Sequence, residues 1–161
     1  MNKKYQKYIN YIVSDIKPPY FINMRDNYGL KDNEYPLVLS KVYNQPVSIE
    51  DNLRVYDTNG NILYYEYSDG SWEKREYNSN DNLIYYEDGN GNWYKREYDT
   101  NNNETYREYS DGYWEKYQYD ANGINEIYRE DSTGNWYKYE YDSKGILIYY
   151  ENSDGEIEDN R

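Results

Sequence analysis

The 161-residue chain contains no cysteine and no histidine. The first absence excludes disulfides and thiolate chemistry. The second removes the imidazole on which most general acid–base sites, nucleophile pairs and zinc centres depend. Proline is confined to positions 18, 19, 36 and 46, and phenylalanine to position 21. No run of 18 apolar residues is present to serve as a membrane span, and the start MNKKYQKYINYIV lacks the continuous apolar stretch of a signal peptide. A cytoplasmic location, without membrane contact, is the resulting expectation.

What the chain has in quantity is tyrosine and acid. It carries 27 Tyr and 4 Trp against one Phe, and a formal net charge of −13. Low hydropathy with high charge is the signature of disorder, but disordered chains are poor in aromatics, so a content of 20% aromatic residues argues for a folded chain. Residues 1–50 carry 7 basic and 5 acidic side chains, whereas residues 51–161 carry 11 basic and 26 acidic ones and no proline. Two segments follow: a helical N-terminal cap over 1–50 and a repeat domain over 51–161. In the cap, Tyr5, Tyr8, Ile9, Ile12, Val13 and Ile16 form one helical stripe that Pro18-Pro19 ends. Phe21, Met24 and Tyr28 before Gly29 suit a second short helix, and a third runs from about Pro36 through Leu39, Val42 and Tyr43.

The repeat is the strongest signal in the chain. Trp72, Trp93, Trp114 and Trp136 are spaced 21, 21 and 22, with Ile157 a further 21 on, and Gly70, Gly91, Gly112, Gly134 and Gly155 keep the same register. Each repeat holds two turn signals, DTNG (57–60) or DANG (120–123) and SDG (68–70, 110–112, 153–155), around stretches of about six residues rich in Tyr, Trp and Ile. Asp opening a turn and Gly accepting a positive φ are what tight hairpin turns require. The prediction is a mainly β fold, a meander of about five 21-residue β-hairpin repeats (about ten antiparallel strands, from near Leu53 to near Glu151), with a small N-terminal helical segment. Alternation along the Trp strand sets Trp72, Lys74 and Glu76 on one face and Arg75 and Tyr77 on the other.

The order YDxxG, strand, DG, strand, YD, as in residues 119–145, resembles the YD or RHS repeat of bacterial polymorphic toxins and the teneurins, over residues 56–157. The denser form, with YYE, DGxW and a terminal SDGEIEDNR, is also similar to small YD-repeat proteins of unassigned function encoded by bacteriophages. The first resemblance implies tandem hairpins; the shell that large RHS proteins build around a toxin uses many more repeats and is not implied. The second implies an accessory protein of a phage or mobile element, acting in the host cytoplasm.

Carboxylates recur in every repeat and no repeat holds a singular pair, so a binding array is expected rather than a catalytic centre. The acidic turn 88–92 lacks the ligand spacing of a calcium loop, and neither metal nor cofactor is expected. Stacking of nucleic acid on the rings needs a positive groove, which excludes direct nucleic-acid binding by a segment this acidic. The expected partner is a host protein with a basic surface, a defence factor that the chain inhibits, with nucleic-acid mimicry as one route. Glu66, Glu87, Glu108, Glu130 and Glu151, one per hairpin, are the candidate partner-binding row. Trp72, Trp93, Trp114 and Trp136 form an aromatic row that is either core, in which case removing one ring costs ~3–5 kcal/mol, or a binding platform. Two other readings stay open: a carbohydrate or cell-wall binding module that uses the Trp row, and a structural fragment of an RHS-like assembly.

Overall fold

A computed structural model describes residues 52–161 continuously and, before them, Glu34, Val38, Ser40, Lys41 and Asn44 with the backbone of Val47–Ile49. The helices expected over 5–16 and 21–28 lie outside the described residues. Of the third, Val38, Ser40 and Lys41 are helical, and the Val38 N–H donates to the Glu34 carbonyl at 3.2 Å.

Twelve strands follow in chain order: β1 (Val47–Ile49), β2 (Leu53–Tyr56), β3 (Ile62–Glu66), β4 (Trp72–Tyr77), β5 (Leu83–Asp88), β6 (Trp93–Tyr98), β7 (Glu104–Tyr109), β8 (Trp114–Tyr119), β9 (Glu126–Asp131), β10 (Trp136–Tyr141), β11 (Leu147–Asn152) and β12 (Ile157–Asp159). The chain divides into two compact units, residues 1–91 with β1–β5 and residues 92–161 with β6–β12. Within each unit, strands adjacent in sequence pair antiparallel, giving an open meander. The ten expected strands are present, and two short ones add to them: β1, with Val47 opposite Val55, and β12, with Ile157 opposite Glu151.

The turns form where the sequence places them, for a local reason. In the turn after β2, the Asp57 carboxylate oxygen Oδ1 accepts the N–H groups of Asn59 and Asn61 at 2.9 and 2.8 Å, while the Gly60 N–H donates to the Asp57 carbonyl at 3.3 Å. Asp99, Asp120 and Asp142 repeat the arrangement, and Asn78 supplies an amide oxygen in its place. The fourth turn position lies at positive φ. Glycine holds it at Gly60, but Asp81 (φ 61°) and Asn102 (φ 67°) hold it in the next two turns. Asp and Asn are the side chains that tolerate this region best.

Each of these hairpins also carries a β-bulge, which the pattern of side chains did not predict. Glu97 faces Tyr106 and Tyr98 faces Glu104, leaving Thr105 as the extra residue; the same slip occurs at Val55/Tyr56, Glu76/Tyr77, Gln118/Tyr119 and Glu140/Tyr141. A bulge turns the residues beyond it to the other face. Strict alternation puts Glu104 with Tyr106; the bulge instead brings it to Arg96 and Arg107, at 3.4 and 2.9 Å.

Enclosed side chains are few. In the first unit Leu53, Val55, Tyr64 and Glu66 are buried and lie on one face of β2 and β3, and Val38 is buried as well. In the second unit Tyr117 and Asn152 are the buried side chains. The four tryptophans are half-buried.

Candidate interaction surface

One face of each unit is organised around the tryptophan strands. Cross-strand register pairs Glu66 with Trp72, Glu108 with Trp114 and Glu130 with Trp136, and sets Lys74, Lys95, Lys116 and Lys138 opposite Glu87, Glu108, Glu130 and Glu151. The predicted glutamate row is thus one continuous position of the pleat within each unit. A tyrosine two residues earlier donates its hydroxyl to these carboxylates: Tyr64 to Glu66 at 2.8 Å, Tyr85 to Glu87 at 3.2 Å, Tyr128 to Glu130 at 3.2 Å and Tyr149 to Glu151 at 2.9 Å. Burial, and then the neighbouring carboxylate, hold the Tyr85, Tyr106 and Tyr128 hydroxyls above the usual phenol range. Lys95 and Lys116 lie 3.9 and 3.5 Å from Glu108 and Glu130, with their ammonium groups over Trp93 and Trp114 at 4.8 and 4.6 Å. The rings at those two positions are therefore covered by lysine. Glu66 is 1% exposed, whereas the rest of the row is half-buried and in contact with solvent.

The opposite face carries the arginines. Arg54, Arg75, Arg96, Arg107 and Arg129 stand over Tyr65, Tyr86, Tyr94, Tyr117 and Tyr137 at 4.5–5.7 Å. Arg107 is the centre of the second unit's network: its Nε lies 2.9 Å from Glu104 Oε1 and 3.0 Å from Glu115 Oε2, and its guanidinium donates to the buried Tyr117 hydroxyl. Arg107 Nε and Glu104 Oε1 are both shielded from solvent and meet as a charge contact rather than an aligned hydrogen bond. Burial and the Glu115 carboxylate raise the Tyr117 hydroxyl well above the phenol range against the pull of Arg107. Cation–π contacts of this kind are worth ~0.5–1 kcal/mol when exposed and more when desolvated.

Ten of the eleven basic side chains beyond residue 50 thus lie over a ring or against a carboxylate. Aspartates recur in both sets of turns. There the aspartates are fixed by the turn itself: Asp69 accepts the Ser71 hydroxyl and N–H at 2.7 and 2.9 Å, and Asp131 accepts those of Thr133 at 2.6 and 2.8 Å. These bonds favour the charged form, the side-chain one most, and hold Asp131 at about 2 and Asp69 below its ordinary value. Backbone donors do the same for Asp99 and Asp120. Among the described residues, no group of three or more acidic side chains is arranged to hold a metal ion.

Neither a protein-family model nor a curated protein matches the sequence. Among solved structures the chain is similar to the crystal structure of TcdB2-TccC3-TEV, with a TM-score of 0.50 and 18% identity over 65% of this chain. It is also similar to TcdB2-TccC3-Cdc42 (TM-score 0.49, 18% identity, 79% of this chain) and to a Photorhabdus luminescens Tc holotoxin pore (0.48, 18%, 77%). It spans 6% of the length of each of those chains. The fold is a YD/RHS-like repeat.

Within these YD/RHS-like repeats the structure exposes a second period that the 21-residue spacing hides. Tyr67 and Tyr109 open alternate turns, and Asp88 and Asp131 open the others; Glu73 and Glu115 follow the first pair of tryptophan positions, Tyr94 and Tyr137 the second. Where Tyr opens the turn, the aspartate sits two places later and binds the N–H beyond it, as Asp69 and Asp111 do. Where Asp opens it, that carboxylate binds the N–H two places on, as in Asp88 and Asp131. The signal was present in the sequence as an alternation at 42–43 residues, but it acquires meaning only when neighbouring turns are seen side by side.

Proposed function

We propose that the YD/RHS-like repeats form a non-enzymatic, acidic protein-interaction module whose partner presents a basic surface. One observation carries the reading: ten of the eleven basic side chains beyond residue 50 lie over a ring of the chain itself, while aspartates locked by turn hydrogen bonds recur in both sets of turns. A row of carboxylates held by the backbone meets an incoming positive surface with little rearrangement, and long-range attraction raises the association rate. The acidic rows repel phosphate backbones, so the partner is a protein and not a nucleic acid. The finer form of the proposal, an accessory protein of a phage or mobile element that occupies and inhibits a host defence protein, draws on the sequence resemblance. A carbohydrate platform is disfavoured by the lysines that cover Trp93 and Trp114.

The test is capture from a bacterial lysate on the immobilised chain at low and high salt, with purified cell wall and polysaccharide as a parallel arm. A basic protein should be retained and then released as the Debye length falls from about 10 Å at 0.1 M to about 3 Å at 1 M salt. Retention on polysaccharide alone, or a complex insensitive to salt, would overturn the proposal.

A further inference from the structure

Asparagine followed by glycine occurs three times, at 59–60, 90–91 and 122–123, and each pair sits in a turn with its glycine at positive φ (92°, 85° and 67°). The pair is chemically reactive. Glycine has no Cβ to keep its backbone nitrogen away from the preceding side chain, so that nitrogen can attack the asparagine amide carbon. In all three turns the glycine N–H donates to the carbonyl of the residue that opens the turn: Gly60 to Asp57 at 3.3 Å, Gly91 to Asp88 at 3.1 Å and Gly123 to Asp120 at 2.9 Å. If this bond alone decided, Asn59 would react first.

The fold distinguishes the three by what else holds each pair. Asn59 is held by its side chain: Nδ2 donates at 2.8 Å to Asp81 Oδ1, the oxygen that also accepts Asn61 Nδ2 at 2.8 Å. The amide must leave this carboxylate before its carbon can turn toward Gly60. At the third pair the glycine is held instead. The Gly123 carbonyl accepts Asn103 Nδ2 at 2.9 Å, and the Asn101 amide packs over the Gly123 α-carbon, 2.2 Å from where a Cβ would stand. The second pair has neither restraint. Asn90 is exposed and its side chain has no partner among the described residues, and Gly91 is exposed with nothing within 4 Å of its Cβ position.

We propose that Asn90 is a site of spontaneous covalent modification, converted through a cyclic imide to a mixture of isoaspartate and aspartate while Asn59 and Asn122 persist. Hydroxide takes the Gly91 amide proton and the nitrogen bonds to Asn90 Cγ; the Cγ–Nδ2 bond breaks, and the side-chain nitrogen takes a proton from water and leaves as ammonia. Water then opens the ring at either carbonyl. Opening at one restores the main chain as aspartate, and opening at the other routes it through the former side chain as isoaspartate. The isoaspartate form places one more main-chain atom between the Asn90 and Gly91 N–H groups, which donate to the Asp88 carboxylate and carbonyl at 2.8 and 3.1 Å. The turn cannot keep both bonds, so the product is a loosened turn with one added negative charge.

The test is ageing of the whole chain in mildly alkaline buffer made with heavy-oxygen water, followed by cleavage after lysine and arginine and mass spectrometry. Each pair then falls in a peptide of its own, 55–74, 76–95 and 117–129. Fragment ions place the change within the peptide, heavy oxygen marks conversion during ageing, and isoaspartate methyltransferase reports the rearranged product. Asn90 should convert at least about five-fold faster than Asn59 or Asn122, the scale of one net hydrogen bond, and yield both products. In urea, where the ties are gone, the three rates should converge. Asp81→Ala should raise the Asn59 rate by about five-fold and leave that of Asn90 unchanged, and Asn103→Ala should do the same for Asn122, with the near-ultraviolet circular dichroism of the parent chain as the check on folding. Equal rates at the three pairs in the folded chain, Asn59 reacting first, aspartate without isoaspartate at position 90, or an Asn59 still slow in Asp81→Ala would each overturn the assignment.

Discussion

Truncating Trp114 to alanine tests how much of the fold rests on the tryptophan row. The ring is half-buried on the lysine-bearing face, with Lys116 Nζ 4.6 Å from its centre and Glu108 opposite it across the strands. An indole side chain offers roughly 200 Å² of surface, so about 100 Å² is withdrawn from water here, worth about 2.5 kcal/mol at ~25 cal/mol per Å². A denatured chain that already covers part of its apolar surface reduces this to about 2 kcal/mol. Loss of the lysine contact adds ~0.5–1 kcal/mol. No cavity term applies, because solvent enters the space the ring leaves. The expected loss is about 2–3 kcal/mol, below the ~3–5 kcal/mol of an enclosed aromatic core. Urea unfolding followed by circular dichroism measures it, and Trp93→Ala should behave alike because Lys95 covers that ring at 4.8 Å. A loss under about 0.5 kcal/mol would show rings that carry no structural load, and one above about 4 kcal/mol a sealed core. Either would refute the half-buried account.

Four further outcomes are expected. Reversing Glu87 and Glu108 to lysine should slow association with the basic partner several-fold while costing no more than about 1 kcal/mol per site in urea unfolding, since exposed ion pairs contribute little; an unchanged on-rate would count against a carboxylate surface. The Asp131 carboxyl should titrate near 2 by carbon-detected NMR. Its folded value lies below the ~3.9 of an unfolded aspartate, so its stabilising effect is complete above about pH 4 and disappears as pH falls through about 2. Asp131→Asn should keep the turn, as Asn152 does at the equivalent place, and remove that dependence. Gly134→Ala, at φ 94° with no neighbouring atom in the way, should destabilise by about 1–2 kcal/mol through backbone conformation alone. Arg107→Lys should cost about 1–3 kcal/mol in thermal or urea unfolding, because a point charge cannot serve Glu104, Glu115 and Tyr117 together.

The sequence by itself determined where the chain turns and which way each strand residue points as far as the bulge. Asp57 and Gly60 make their turn with partners no more than four residues away, so the chemistry is local and readable from any five-residue window. The pleat has a period of two, so Trp72, Lys74 and Glu76 share a face whatever lies beside them. Which residues meet across strands depends on register, and each bulge shifts that register by one. Alternation alone therefore separated Glu104 from Arg107, and the tertiary structure joined them. The same holds for Glu66, one of five equivalent glutamates in the sequence but the buried one in the fold, at the face of β2 and β3 that Leu53 and Val55 share. Whether Trp93 and Trp114 were core or platform was open in the sequence because an indole serves equally as either; lysines placed over the rings by the packing settled how they are covered.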